Sequence, residues 1–253
     1  MKKKQKAKLK PGDIVTNSIG MKLVWILAGE FMMGYDNRFS YENRDSNEKP
    51  VHKVKLTKGF WMGVHEVTQS QYQAVMGNNP SYFKGENNPV EQVSWDDAVE
   101  FCKKLSKKEG KTYTLPTEAQ WEYACRAGST TVYSFGDSKS SLGDYAWHEG
   151  NSGGKTHPVG TKKANKFGVY DMYGNAWEWC LDWSWGYPEG TSVDPEGPKS
   201  GTGLVLRNRI IRGGSWFSDP GDCRSAFRGM CEPGNPGPYG HLYGFRVVAL
   251  DFR

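Results

Sequence analysis

The sequence predicts a loop-rich α+β domain with short strands and a few helices. Three observations carry that expectation. Capping patterns announce three helices, all between residues 68 and 128. Short apolar runs of strand character flank them, and no strong helix signal appears after Ala127. Glycine (31) and proline (13) together make about 17% of the 253 residues, against about 12% in average usage, and ten tryptophans accompany them. Much of the chain should therefore be turn and loop, held by aromatic packing. The apolar content of 37% is enough for a core and excludes disorder. The longest apolar run, Leu23 to Ala28, falls far short of the roughly 20 residues that span a bilayer. Neither a Gly-X-Y nor a heptad period is present.

In chain order, residues 1–19 read as a basic, disordered arm, and residues 20–253 as one domain. The arm carries six lysines and no acid in its first ten positions, so the rest of the chain is nearly neutral and the net charge of +5 belongs to the arm. Such an arm attracts nucleic acid or anionic lipid weakly through phosphate contacts. No apolar signal-peptide segment follows it, because Pro11, Gly12 and Asp13 intervene. Leu23–Leu27 and Val51–Leu56 read as strands. Thr68 with Gln71 forms a capping box, and Gly77 stops that helix. Ser94 caps a second helix whose first turn carries Asp96 and Asp97, favourable at the positive end of the helix dipole. Thr117 with Gln120 opens a third, with Gly128 just past its end. Leu204–Ile211 and Phe245–Leu250 are the late strand runs, and Gly150–Gly154 and Pro233–Pro238 are turns. No linker divides this body.

Chemistry-bearing motifs are scarce. Five cysteines (102, 125, 180, 223 and 231) include no Cys-x-x-Cys, and the histidines have no zinc-ligand spacing. His52 and His65 lie in alternating apolar stretches, and His157 sits in a turn. No Gly-x-Ser-x-Gly elbow or phosphate-cradling loop occurs.

An ordered series of segments runs along the chain: Ala28-Gly29-Glu30-Phe31, Pro89-Val90-Glu91-Gln92-Val93-Ser94-Trp95, Leu115-Pro116-Thr117-Glu118-Ala119-Gln120-Trp121, Gly174-Asn175-Ala176-Trp177-Glu178-Trp179, Arg212-Gly213-Gly214-Ser215 and Gly244-Phe245-Arg246. This series resembles the formylglycine-generating-enzyme (sulfatase-modifying factor) family, a variant of the C-type lectin fold, over residues 20–253. The family's enzymes oxidise a protein cysteine with copper held by two cysteines. Counted from Gly213, those positions are Ser218 and Cys223 here. A hydroxyl beside one thiolate is a poor copper site, because soft sulfur ligands select Cu(I). The resemblance therefore implies no copper and no catalytic residues. It also implies a calcium site at Asp171, Gly174, Ala176 and Glu178, where hard oxygen ligands suit Ca²⁺. Alternatively, Asp171 and Glu178 satisfy backbone N–H groups in a tight turn.

Within residues 212–246, fixed family positions alternate with residues that follow no structural pattern: Trp216, Phe217, Ser218, Asp219, Asp222, Phe227, Gly229, Met230, Cys231, Tyr239, Gly240, His241 and Tyr243. This layout resembles the variable region of diversity-generating-retroelement proteins, in which template adenines are randomised. Asn codons altered in that way reach Phe, Ser, Asp, Gly, Cys, Tyr and His; Trp216 and Met230 are not reachable. Large aromatics on rigidly based loops suit a binding surface, with Gly229 and Gly240 letting a ligand approach the backbone. Trp216 follows a fixed motif and is expected in the core, whereas Phe217 and Tyr239 are expected to be exposed. The reading is a non-enzymatic, monomeric binding protein for a protein or glycan ligand at the cell surface, where a segment outside this sequence would anchor it to the membrane. A cytoplasmic protein is the alternative location, and a formylglycine-generating-type oxidase the alternative function.

Overall fold

A computed structural model describes residues 9–35, 47–200, 207–234 and 237–250. The three capped helices form where their local chemistry places them. Helix α1 (Gln69–Met76) opens on the Thr68–Gln71 capping box and ends at left-handed Gly77. In α2 (Trp95–Glu109) the Ser94 hydroxyl accepts from Asp97 N, and the Asp97 carboxylate accepts from Ser94 N. Asp97 thus completes a box as well as favouring the dipole. Helix α3 (Glu118–Arg126) has the Thr117–Gln120 box, but its left-handed cap is Ala127, with Gly128 following at positive φ. A single further turn, α4 (Leu142–Tyr145), follows in the region without strong helix signals.

Three small sheets surround these helices. Strands β1 (Ile14–Thr16), β2 (Lys22–Ile26), β5 (Phe60–Gly63), β12 (Val248–Ala249) and β6 (Tyr113–Thr114) form one sheet in that order. Strands β3 (Gly29–Met33), β4 (His52–Leu56) and β8 (Thr191–Val193) form a second. The third runs β10 (Arg228–Cys231), β9 (Arg209–Arg212), β7 (Trp177–Trp183) and β11 (Tyr243–Gly244), with a bulge in β7 between Trp179 and Trp183. β1 corrects the expected arm: Ile14–Thr16 pair with Val24–Lys22, and Gly12 N donates to Trp25 O. Leu9 also packs on the core, so the described part of the expected arm belongs to the fold. Residues 1–8, most of the lysine run, lie outside the described residues, as do Leu204–Leu206 of the expected strand. Among the described residues no helix is long and apolar enough to cross a membrane.

The core has two halves. One gathers around Trp121 of α3, the other around Phe101, Trp179 and Phe245. Buried ion pairs tie the loop-rich half together. Arg212 pairs with Glu122, Arg228 holds Glu118 through two bonds at 2.6 and 2.8 Å, and Arg246 holds Glu178 at 2.5 and 2.6 Å. Other donors of these guanidiniums bond backbone carbonyls, such as Ala226 O from Arg212, Trp185 O from Arg228, and Gly63 O and Tyr170 O from Arg246. A guanidinium supplies five donors in a rigid fork, and these arginines hydrogen-bond backbone that short strands cannot pair.

Candidate functional site

The end of β9 feeds a tight turn. Ser218 N donates to Ser215 O, and Ser215 N donates to the Ser218 hydroxyl, both at 3.0 Å. This closure turns Trp216 inward and Phe217 outward. Trp216 is buried and fastened on three sides: its N donates to Asn175 O, its carbonyl accepts from the Ser152 hydroxyl, and its indole N–H donates to His241 O. Phe217 stands 62% exposed with its ring 5.4 Å from that of Trp216. The 3₁₀ turn Gly237–Leu242 brings half-buried His241 to the same side and carries Tyr239, 63% exposed, while Gly240 is buried with its carbonyl accepting from Gln92 N.

A second loop, outside the expected tract, completes this face. Tyr82 is 68% exposed, and its ring lies 4.9 Å from Phe83 and 6.0 Å from His241. Phe83 meets Trp216 edge-on at 5.3 Å. Glu91 pins that loop: its Oε1 accepts from Phe83 N at 2.7 Å, and its own N donates to the Ser81 hydroxyl. Burial pushes the Glu91 carboxyl up to about 7, and Oε2 has no partner among the described residues. A Tyr-Phe pair between two Asn-Asn-Pro turns was a legible signal, since adjacent large aromatics in a polar loop mark a surface with a use.

The other tract residues divide differently from expectation. Phe227, Gly229, Cys231 and Tyr243 gather around one face of the third sheet, near Trp177 and Trp179. Gly229 does not open the backbone to a ligand: a β-carbon there would stand 2.7 Å from Ile211 Cγ1 and 3.3 Å from the Trp177 ring. It is a packing glycine. Met230 alternates to the opposite face, where its sulfur accepts from the Ser184 hydroxyl, and so leaves the aromatic patch. Ser218 is buried and spent on the turn, and Asp219 caps the 3₁₀ turn Pro220–Cys223 by accepting from Gly221 N. Asp222 lies within that turn, half-buried.

The expected calcium ligands do not form an oxygen cage. Glu178 has both oxygens on the Arg246 guanidinium, and Oε2 also accepts from the Trp121 indole at 2.7 Å. A buried cation already occupies this carboxylate. Asp171 accepts from Gly160 N at 2.6 Å and faces Glu66. Burial pushes Asp171 up to about 6, and burial together with Asp171 and Glu178 holds Glu66 well above the usual carboxylate range. Gly174 N donates to Gly213 O, and Ala176 is buried beside Gly244. Among the described residues no three His, Cys, Asp or Glu side chains are grouped to hold a metal. With both oxygens on Arg246, Glu178 offers Ca²⁺ no free carboxylate.

Ser218 and Cys223 are neighbours, both against Gly214, whose β-carbon would stand 2.7 Å from the Cys223 sulfur and 3.4 Å from Ser218 Cβ. The thiol of fully buried Cys223 is pushed up by burial and by Asp222 and Asp219, which disfavours the thiolate. Cys231 packs in the other half of the core. One protonated thiol beside a committed hydroxyl does not fit the two-thiolate copper pattern.

A family model described as the sulfatase-modifying factor enzyme 1-like domain matches residues 12–250, and the chain belongs to that family. It is 32% identical to the chaperone protein LppX of Paenibacillus barcinonensis over 75% of this chain and 79% of that one. It is also 32% identical to the formylglycine-generating enzyme of Bos taurus, over 90% and 74%. It matches the serine/threonine-protein kinase pkn1 of Chlamydia caviae at 30% identity over 96% of its own length, but spans only 40% of that protein. Among solved structures, Treponema denticola variable protein 1 superposes with a TM-score of 0.82 and 31% identity, covering 93% of this chain and 98% of that one. PvdO from Pseudomonas aeruginosa gives 0.81 and 30%, covering 96% and 99%. The fold is the formylglycine-generating-enzyme variant of the C-type lectin fold, α+β and loop-rich.

Proposed function

We propose that this member of the sulfatase-modifying factor enzyme 1-like family is a non-enzymatic binding protein whose aromatic face takes a ligand on another surface. The observation that carries this reading is the cluster Tyr82, Phe83, Trp216, Phe217 and His241, with exposed Tyr239 on the same turn. Its buried members are clamped by hydrogen bonds and its outer members project into solvent. Rigid aromatic side chains lose little conformational entropy on binding, which is why paratopes favour them. The likeness to Treponema denticola variable protein 1 across nearly the whole chain supports a displayed, diversified tract. The likeness to a protein named a chaperone favours a protein over a glycan as the ligand. The protein acts as a monomer at the cell surface and uses neither copper nor calcium.

The test is retention on arrays of displayed proteins and of glycans. Phe217→Ala, Tyr239→Ala and Tyr82→Ala should each abolish a captured interaction without changing the melting temperature. Retention unaffected by all three would refute the face. A formylglycine-generating-type oxidase is the alternative, supported by the formylglycine-generating enzymes among the relatives. Stoichiometric tight Cu(I) binding that disappears in Cys223→Ser would decide for it. Diversification is tested in the genome: a nearby near-copy of the coding segment for residues 212–246, differing only at adenines, is the expected finding.

A further inference from the structure

Beyond the bulge in β7 lies a cavity of about 270 Å³ that the aromatic face does not use. Its walls are aromatic, from Trp183, Trp185 and Tyr187, and Asp182 is set among them. Asp182 is only 6% exposed. Its Oδ2 accepts from Glu118 N at 2.8 Å at the start of α3, whereas Oδ1 has no partner among the described residues. Gly197, at positive φ, packs against Asp182: a β-carbon there would stand 3.2 Å from its Cβ and 3.3 Å from Oδ1.

The charged groups around the cavity are mostly committed to partners other than Asp182. Glu118 and Arg228 neutralise each other through two hydrogen bonds. Two further Arg228 donors go to Asn47 O and Trp185 O, and Arg228 makes no hydrogen bond to Asp182 among the described residues. Arg209, the other nearby cation, is stacked between Trp95 and Trp183 at 3.6 and 3.5 Å and donates to Leu181 O; it makes no hydrogen bond to Asp182. Asp182 thus has no hydrogen-bonded cation inside the aromatic enclosure, and exposed Glu196 adds a second negative group at the rim. Trp185, 49% exposed, offers its ring to an incoming molecule.

We infer that this cavity binds a small organic ammonium ion, with Asp182 Oδ1 accepting from the ammonium and Trp185 and Trp183 packing on the group that carries it. Aromatic faces attract cations through the ring quadrupole, and the attraction strengthens when water is excluded. The volume is at the small end for ligand pockets, which run from about 300 Å³ upward, and so suits a single-ring amine rather than a polymer. Burial and the neighbouring Glu118 carboxylate push Asp182 up to about 7, the direction expected of a carboxyl that lacks its cation. A bound ammonium would supply it.

The experiment is calorimetric titration of the full chain with phenethylammonium, with 2-phenylethanol as the neutral analogue of the same shape. Saturable binding is expected, at least about tenfold tighter than for the alcohol. Asp182→Asn keeps an acceptor for Glu118 N and should weaken phenethylammonium by at least about tenfold. Trp185→Ala alters an exposed side chain, leaves the fold intact, and should also weaken it. Phe217→Ala, on the aromatic face, should leave this binding unchanged, so failure of one site does not imply failure of the other. Equal affinity for ammonium and alcohol, or wild-type affinity in both Asp182→Asn and Trp185→Ala, overturns the inference. Absence of saturable binding to the wild-type chain overturns it too.

Discussion

Residues 212–246 hold two populations that share one stretch of chain and little else. Arg212, Arg228 and Arg246 are buried and paired with Glu122, Glu118 and Glu178 from distant elements. Phe217 and Tyr239 are more than half exposed and make no bond that the fold depends on. A fold with short strands leaves many carbonyls unpaired, and charged forks anchored by carboxylates satisfy them. Once that frame is set, side chains projecting from it are free to vary. Stability and the proposed recognition are therefore separated residue by residue along the chain, rather than domain by domain.

The largest effect should come from cutting the frame. Arg246→Ala strands Glu178 and should cost about 3–5 kcal/mol, as expected when one partner of a buried pair is removed, read by denaturant unfolding. Trp216→Ala tests the boundary between the two populations. It should also cost about 3–5 kcal/mol, because the side chain is core despite its place in the tract. A cost below about 1 kcal/mol would put Trp216 with the variable face. Gly229→Ala comes next. Its β-carbon would press on Ile211 within strand pairing, and overpacking of this kind costs about 1–3 kcal/mol.

A smaller effect concerns pH. Burial raises Asp171 to about 6 and Asp182 and Glu91 to about 7, and holds Glu66 well above its usual range. For groups raised in the folded state, the stabilising contribution is complete below the unfolded value near 4 and is lost as pH climbs through the folded value. His65, lowered by burial, acts in the opposite direction, and Glu118 is held low by Arg228 and Arg212 against the cost of its burial, so its contribution is lost only in stronger acid. The melting temperature should therefore fall between pH 5 and pH 8, and Glu66→Gln should flatten that slope. A melting temperature that rises over this interval would contradict the buried-acid reading. The smallest effects belong to the face: Phe217→Ala and Tyr239→Ala should change stability by no more than about 0.5 kcal/mol. If either proves as costly as Trp216→Ala, the division fails.

Much was legible before the structure. The three helices follow from capping boxes, whose hydrogen bonds join residues three apart and need nothing else from the fold. The family, and with it the α+β lectin-like architecture, is written in the ordered segments from Ala28 to Arg246. The outward placement of Phe217 and Tyr239 was readable from their loop context, as was the inward placement of Trp216. Tertiary structure alone decided which partner each charged group meets and which way each strand residue faces. Glu178 reads as a metal ligand until Arg246, 68 residues away, takes both its oxygens. Met230 reads as part of the binding tract until strand alternation turns it to the opposite face from Gly229. Tyr82 and Phe83 join the site through ring contacts to residues more than 130 positions later, and Ile14–Thr16 left the expected arm for the fold because β1 found a partner in β2. The reason is one of range: caps and turns are settled among near neighbours, whereas a carboxylate's role depends on the nearest opposite charge in space, which this loop-rich fold brings from far along the chain.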